Sequence, residues 1–149
     1  MANITLQNNT IKTSGNLPVI GKTAKDFLLI GKDLKQVTLN DFKGVRIVMN
    51  IFPSIDTGVC ASSVRNFNTQ ASKLSNTKVL CISRDLPFGQ NRFCGAEGIE
   101  DVITLSDFVS GKFGKDYELT IIDGPFAHLN SRCVIVLDET HKILYTEQV

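Results

Sequence analysis

The sequence predicts an α/β fold in which helices cover both faces of a central mixed β-sheet. Residues 45–52 and 78–83 are almost continuously apolar and rich in β-branched side chains, which is typical of buried strands. A helical pattern over 61–74 lies between them, and a strand–helix–strand unit joins parallel strands by a right-handed connection. Hairpin patterns near both ends of the chain add antiparallel strands to the prediction.

Before the first buried strand, short alternating apolar runs predict a hairpin and two further strands. Asparagine, glycine and aspartate separate these runs, and such residues favour turns. Gly44 is expected to end a single helical turn. In order, the predicted elements are a hairpin over 1–13 that turns at Asn8-Asn9, a loop over 14–22, strands over 26–30 and 35–39, and the helical turn over 40–44.

After the second buried strand, shorter helices and strands alternate. Residues 84–88 open a helix that continues through Cys94, and Gly95 and Gly98 are predicted to end it. The later predicted elements are a strand over 102–105, a helical turn beginning at 106–108, a bend near 113–114, an extended segment over 119–122, a turn over 123–125, and a hairpin of strands 131–137 and 142–146.

The composition is ordinary for one soluble domain. The chain has 149 residues, 42% of them hydrophobic and 21% charged, with a formal net charge of +1, which suits a single domain over 1–149. It has no basic stripe, so neither nucleic acid nor a membrane is expected as a partner. There is no signal-peptide pattern and no run near the roughly 18 apolar residues of a membrane span, so a cytoplasmic location is expected.

Four cysteines are spread along the chain, at Cys60, Cys81, Cys94 and Cys133. None forms a C-x-x-C pair, so a zinc ribbon or a thioredoxin-type dithiol is not predicted, and no metal or cofactor is expected. In a reducing compartment, scattered cysteines are either inert or catalytic. Cys81 and Cys133 lie inside predicted strands and are expected in the core.

Cys60 lies at the start of the helix that leaves the first buried strand. Pro53 ends that strand because it cannot donate to a sheet ladder, and Asp56 or Thr57 can cap the helix. Free amides and the helix dipole favour an anion in a first turn, and for a thiol that anion is the nucleophilic thiolate. The Pro53 turn can shield the sulfur from bulk water. A cysteine in such a place is more often a small buried hydrophobe, and that interpretation stays open here.

Peroxide reduction is a reaction that these residue types suit. A thiolate attacks one oxygen of the O–O bond while the other leaves as an alkoxide, so the site must hydrogen-bond both oxygens. Thr57 offers a hydroxyl, or is only a helix cap, and Val59 and Cys60 offer amides at the helix start. An arginine would complete the set of donors. Arg132, which opens a predicted strand, is the first candidate, and Arg84 is the second.

A second thiol is needed to finish such a reaction, because the sulfenic acid formed on Cys60 would condense with one. The carboxyl ends of the two parallel strands meet at one edge of the sheet, so Cys60 and Cys94 are expected at the same edge. Cys94 is therefore the candidate second thiol, with an inert buried helix cysteine as the alternative.

The residues around these cysteines resemble a known family. The pattern Pro53-x-x-x-Thr57-x-x-Cys60 is similar to the active-site motif of peroxiredoxins. The longer run 53–60, together with 81–83, 85–88 and 92–98, resembles the bacterial thiol peroxidases, which are atypical 2-Cys peroxiredoxins. The similarity extends over nearly the whole chain.

The resemblance implies a thioredoxin-like fold with an N-terminal β-hairpin extension. It implies that Cys60 is the peroxidatic cysteine and Cys94 the resolving cysteine, joined in an intramolecular disulfide. The other active-site positions that it implies are Thr57 and Arg132 and, in the substrate pocket, Pro53 and Val59.

The resemblance also implies partners. These are thioredoxin as the reductant, hydrogen peroxide and alkyl or lipid hydroperoxides as substrates, and a second copy of the chain in a homodimer packed through the active-site edge. Members of the family continue past the last hairpin into a C-terminal helix, and this sequence, which stops at Gln148-Val149, is expected to lack it.

Two other classes of protein use a reactive cysteine. A cysteine hydrolase would pair Cys60 with a histidine, and only His128 and His141 exist, both in predicted turns. A non-enzymatic redox sensor would use the same two cysteines without fast reduction.

Overall fold

The computed structural model describes residues 3–6, 9–13, 15–71 and 73–148. In chain order, the strands are β1 (Asn3–Leu6), β2 (Asn9–Lys12), β3 (Leu28–Ile30), β4 (Gln36–Thr38), β5 (Arg46–Ile51), β6 (Thr77–Ser83), β7 (Ile103–Ser106), β8 (Cys133–Leu137) and β9 (Ile143–Gln148). The α-helices are α1 (Gly58–Ala71), α2 (Pro87–Glu97) and α3 (Lys112–Asp116), and a 3-10 helix covers Leu39–Phe42. Within the described ranges, no helix has both the length and the apolar character that a membrane span requires.

Seven strands form one mixed sheet in the order β4-β3-β7-β6-β5-β8-β9, which confirms the predicted fold class. The three central strands β5, β6 and β7 are parallel, and every other pairing is antiparallel. The parallel strands come from consecutive strand–helix–strand units. β1 and β2 form the predicted N-terminal hairpin, while Asn8 at its predicted turn lies outside the described residues.

The alternation of side chains along β5 and β6 divides the core between two faces of the sheet. Met49 and Leu80, opposite each other in the ladder, are fully buried in a cluster that includes Phe113 of α3. Cys81, one position along β6, belongs to a second cluster with Val64 of α1. Helices therefore cover both faces, as predicted, and α1 packs on the face that carries Cys81.

The end of α2 differs from the prediction. The helix continues through Gly95 to Glu97, so the expectation that Gly95 ends it was wrong. An isolated glycine costs a helix only about 1 kcal/mol, which its neighbours can offset. Gly98 does end the helix, in the left-handed conformation with φ 65°, and its amide donates to the carbonyl of Cys94.

The chain makes a single turn between β7 and α3, where a helical turn was predicted to begin. Ser106 is the last residue of β7, and the amide of Gly111 then donates to the carbonyl of Asp107 at 3.2 Å, the i to i+4 bond of one helical turn, before α3 begins at Lys112. The Asp107 carboxylate accepts hydrogen bonds from the amides of Phe113 and Gly114 at the start of α3. The predicted extended segment over 119–122 makes single bridges rather than a strand.

Gly114 lies where the chain leaves no room for a side chain. A Cβ atom there would overlap the Asn130 side-chain oxygen and would be 2.8 Å from the Thr120 hydroxyl. We expect Gly114→Ala to lower the free energy of unfolding by about 1–3 kcal/mol, the usual cost of overpacking. Gly89→Ala in α2 is the matched control, because nothing lies within 4 Å of its Cβ position. Urea unfolding should find the control as stable as the wild type or more so, and equal losses in the two variants would contradict the prediction.

Candidate active site

Cys60 is the third residue of α1 and is 1% exposed. Its Sγ accepts a hydrogen bond from Nη2 of Arg132, with 3.8 Å between the two atoms. Arg132 precedes β8, whose first residue, Cys133, pairs with Ile51 at the carboxyl end of β5. The antiparallel pairing of β5 with β8 therefore brings the guanidinium to the start of α1.

Thr57 caps α1, which settles the choice between the two capping residues that the sequence offered. Its hydroxyl donates to the carbonyl of Ser54 at 3.2 Å and accepts from the amide of Cys60 at 3.3 Å. The amide of Cys60 is therefore already paired, and Thr57 connects the loop before α1 to Cys60. Asp56 instead forms an exposed ion pair with Arg92 of α2, at 3.2 Å.

The loop between β5 and α1 is packed into the core. Pro53 is buried, as are Phe52 and Ile55 on either side of it, each 1% exposed. Phe52 and Ile55 share a hydrophobic cluster with Cys60. Val59 lies in the first turn of α1, and its side chain is outside the part of the chain that the structure describes.

Arg84, the second candidate arginine, donates to backbone carbonyls and not to Cys60. Its three guanidinium nitrogens donate to the backbone carbonyls of Asp107, Phe108 and His128, at 3.1, 3.3 and 2.9 Å. It holds the loops beyond β7 together. The arginine at the sulfur of Cys60 is therefore Arg132.

Cys94 lies in the second half of α2 and is partly buried against the cluster that contains Cys60 and Cys81. Burial raises the pKa of its thiol, and the nearby charge of Lys32 opposes that shift. All four cysteines are free thiols in the structure. Cys60 and Cys94 thus belong to elements on one face of the sheet, and a disulfide between them remains a prediction.

The other two cysteines are in the core, as expected. Cys81 is 0% exposed and Cys133 is 1% exposed. Burial raises the pKa of each thiol to about 12. The polar neighbour of Cys81 is the neutral amide of Asn50, 3.8 Å from the sulfur. Both thiols are therefore protonated at neutral pH and are poor nucleophiles.

The two histidines lie in turns. His128 is exposed and has φ 76°, and a ring nitrogen of His141 is 3.0 Å from the carbonyl oxygen of Phe42. Neither is among the described hydrogen-bond partners of Cys60, so the geometry gives no support to a cysteine–histidine hydrolase site.

Asp85 was recognised in the sequence only as part of a motif. In the structure, its carboxylate accepts three hydrogen bonds. Its carboxylate accepts hydrogen bonds from the Ser54 hydroxyl at 2.7 Å, the Ile55 amide at 2.7 Å and the Ser83 hydroxyl at 2.6 Å. Its position just beyond β6, at the edge where Cys60 was expected, is the signal that could have found it.

Comparison with known proteins gives consistent matches. The Redoxin family matches residues 20–149. A thiol peroxidase of Corynebacterium glutamicum is 50% identical over 149 residues, which is 100% of this chain and 90% of that protein. The crystal structure of a peroxiredoxin-like protein from Aquifex aeolicus is 29% identical, with a TM-score of 0.92 over 99% of this chain and 85% of that one. A thiol peroxidase from Chromobacterium violaceum, 19% identical, has the same fold, with a TM-score of 0.88 and the same coverage of both chains.

The buried thiol of Cys81 predicts a loss of stability in alkaline solution. An unfolded thiol loses its proton near pH about 8.5, whereas the folded one keeps it to about pH 12. Between these values the native state binds the extra proton, so the free energy of unfolding falls as pH rises. We expect this fall to be shallower in Cys81→Ala, as measured by urea unfolding from about pH 7 upward. An identical pH dependence in the variant and the wild type would contradict the prediction.

Proposed function

Since this chain belongs to the Redoxin family and, within it, to the bacterial thiol peroxidases, we propose that it reduces hydrogen peroxide and alkyl or lipid hydroperoxides through the thiol of Cys60. The observation that carries the proposal is the contact between the Cys60 sulfur and the guanidinium of Arg132 at a capped helix start. The guanidinium places N–H donors beside the sulfur, where negative charge develops when a thiolate attacks a peroxide.

In the first step, the Cys60 thiolate attacks one oxygen of the peroxide. The sulfur–oxygen bond forms as the oxygen–oxygen bond breaks, and the other oxygen leaves with the electron pair and takes up a proton as an alcohol or water. Negative charge grows on the departing oxygen, and Arg132 supplies the donors that stabilise it. Thr57 holds the Cys60 amide and the turn before it. The buried Pro53 loop limits access of water to the product, a sulfenic acid.

In the second step, the Cys94 thiol attacks the sulfenic acid of Cys60. A disulfide forms and the sulfenic oxygen leaves as water. Both residues are parts of helices, so the step requires local unwinding around at least one of them. In α2, the buried residues Pro87 and Gln90 lie before Cys94, which favours opening of the half that carries it.

The cycle closes when an external dithiol reduces the disulfide by exchange, with two electrons and two protons taken up. We assign this role to thioredoxin, because the chain belongs to a family of thiol-dependent peroxidases and its own sequence has no C-x-x-C dithiol. The expected compartment is the cytoplasm, where free thiols persist. A homodimer packed through the active-site edge is part of the same proposal.

Two single substitutions test the roles of the cysteines. We expect Cys60→Ser to abolish NADPH consumption with thioredoxin, its reductase and a hydroperoxide, because no thiolate remains to attack the peroxide. Cys94→Ser should retain one rapid round of Cys60 oxidation and lose continued turnover. Cys81→Ala is the matched control, since it removes a buried thiol outside the proposed cycle and should keep turnover. Appreciable activity in Cys60→Ser, or full turnover in Cys94→Ser, would contradict the assignment.

The role of Arg132 has its own test. Loss of one preorganised donor to a developing oxyanion costs about 100-fold or more in rate, so Arg132→Ala should slow oxidation of Cys60 by that order. Arg132→Lys should recover only part of the rate, because a lysine lacks the two-pronged donor geometry. Arg46→Ala, which removes an exposed arginine paired with Glu139, is the control. Rapid mixing with peroxide measures the rate, and an unchanged rate in Arg132→Ala would move the role to another residue.

A further inference from the structure

We propose that Asp85 is a positioning residue for peroxide reduction, and that it holds the loop before α1 in the arrangement in which Cys60 reacts. The inference rests on the function proposed above for Cys60. Asp85 has no assigned role in that chemistry. Along the chain it follows β6 and precedes α2, so it lies between the two helices that carry Cys60 and Cys94.

The carboxylate joins two segments that are distant in sequence. One oxygen accepts from the Ser54 hydroxyl, and the other accepts from the Ile55 amide and the Ser83 hydroxyl. These three donors lie 2.6–2.7 Å away, the short distances typical of hydrogen bonds to a charged acceptor. Ser54 and Ile55 lie in the loop before α1, and Ser83 ends β6. We call these three hydrogen bonds the Asp85 latch.

The latch is anchored on the sheet. The Ser106 hydroxyl at the end of β7 donates to the Asp85 carbonyl, and the Asp85 amide donates to the Ser83 hydroxyl at 3.3 Å. Gln90 of α2, 1% exposed, donates to the same Ser83 hydroxyl at 3.1 Å and to the Leu105 carbonyl at 2.9 Å. The carboxylate is thus held by the ends of two central strands and by the first turn of α2.

A series of hydrogen bonds connects the latch to the backbone amide of Cys60. The Ser54 hydroxyl donates to Asp85, and the Ser54 carbonyl accepts from the Thr57 hydroxyl, which in turn accepts from the Cys60 amide. Arg132 approaches the same sulfur from a different strand. The distance between sulfur and guanidinium therefore depends on where the loop is held, and an error of about 1 Å in such a site can cost 100-fold in rate.

The latch has opposite consequences for the two steps of the cycle. Oxidation of Cys60 needs the loop in place, whereas disulfide formation with Cys94 needs local opening. Removing the carboxylate should therefore slow the first step and leave the second unchanged or faster. A general loss of structure slows both steps, so the pair of rates separates positioning from mere stabilisation.

The test compares Asp85→Ala and Ser54→Ala with a matched control, Asp138→Ala. Asp138 is also a carboxylate held by several donors, the Thr140 amide and hydroxyl and the Lys142 amide, but it lies in the turn between β8 and β9. Each protein is mixed with hydrogen peroxide and quenched with a thiol-alkylating reagent. Peptide mass spectrometry over time gives the amounts of Cys60 thiol, Cys60 sulfenic acid and Cys60–Cys94 disulfide, and from them the rate of thiol loss and the rate at which the sulfenic acid becomes the disulfide.

We expect Asp85→Ala to slow loss of the Cys60 thiol by about 10-fold or more without slowing the disulfide step. Ser54→Ala should act in the same direction with a smaller effect, and Asp138→Ala should leave both rates within about twofold of the wild type. Oxidation in Asp85→Ala within about twofold of the wild type, or equal slowing of both steps, would overturn the latch.

The folding of Asp85→Ala and the reactivity of the wild type determine how the rates are interpreted. If Asp85→Ala does not fold, Ser54→Ala decides by the same two rates. If Cys60 of the wild type does not react with peroxide, the proposed function fails, and the latch as a positioning device fails with it. If the wild type reacts normally and Cys60 of Asp85→Ala is oxidised equally fast, only the latch is contradicted.

Discussion

The hydrogen-bonded ladder on either side of β5 is the constraint on which the rest of the site depends. β5 runs parallel to β6 and antiparallel to β8, so its carboxyl end meets the carboxyl end of β6 and the amino end of β8. Three segments therefore converge beyond Ile51, namely the loop leading to Cys60, the residues around Asp85, and Arg132. No two of them are adjacent in sequence. A change in the register of the β5–β8 ladder would separate the sulfur from the guanidinium, and a change in that of the β5–β6 ladder would move Asp85 away from the loop.

Two cysteines on the same face of the sheet are equally buried but have different neighbours. Cys60 and Cys81 are both almost completely buried, and both belong to the same hydrophobic cluster. Cys81 has a neutral amide beside it, and burial raises the pKa of its thiol to about 12. Cys60 has the charged guanidinium of Arg132 beside it, at the start of a helix. The two residues therefore differ in the charge of a neighbouring side chain and not in their degree of exposure, and the proposed chemistry is assigned to the one beside the guanidinium.

The packing of α2 bears on the local opening that the proposed cycle requires. The buried residues of α2 are Pro87 and Gln90, both near its beginning, whereas Cys94 is only partly buried. The contacts between α2 and the α1 region include two ion pairs at the surface, Arg65 with Glu97 and Arg92 with Asp56. Exposed ion pairs contribute little to stability, so the second half of α2 can separate from α1 more easily than the strands can separate from one another.

Local features could be predicted from the sequence, because they depend on neighbouring residues. Apolar runs predict β5 and β6, and the proline, the capping hydroxyl and the first-turn cysteine predict the geometry around Cys60. The same local rules could not tell that Gly95 would be tolerated inside α2, since packing outweighs its low propensity. The tertiary structure was needed to identify Arg132 as the arginine beside the Cys60 sulfur. It was also needed to show that Asp85 accepts a hydrogen bond from the loop before α1. Those contacts cross the strand ladders, and side chains far apart in sequence become neighbours only when the register of the sheet is set.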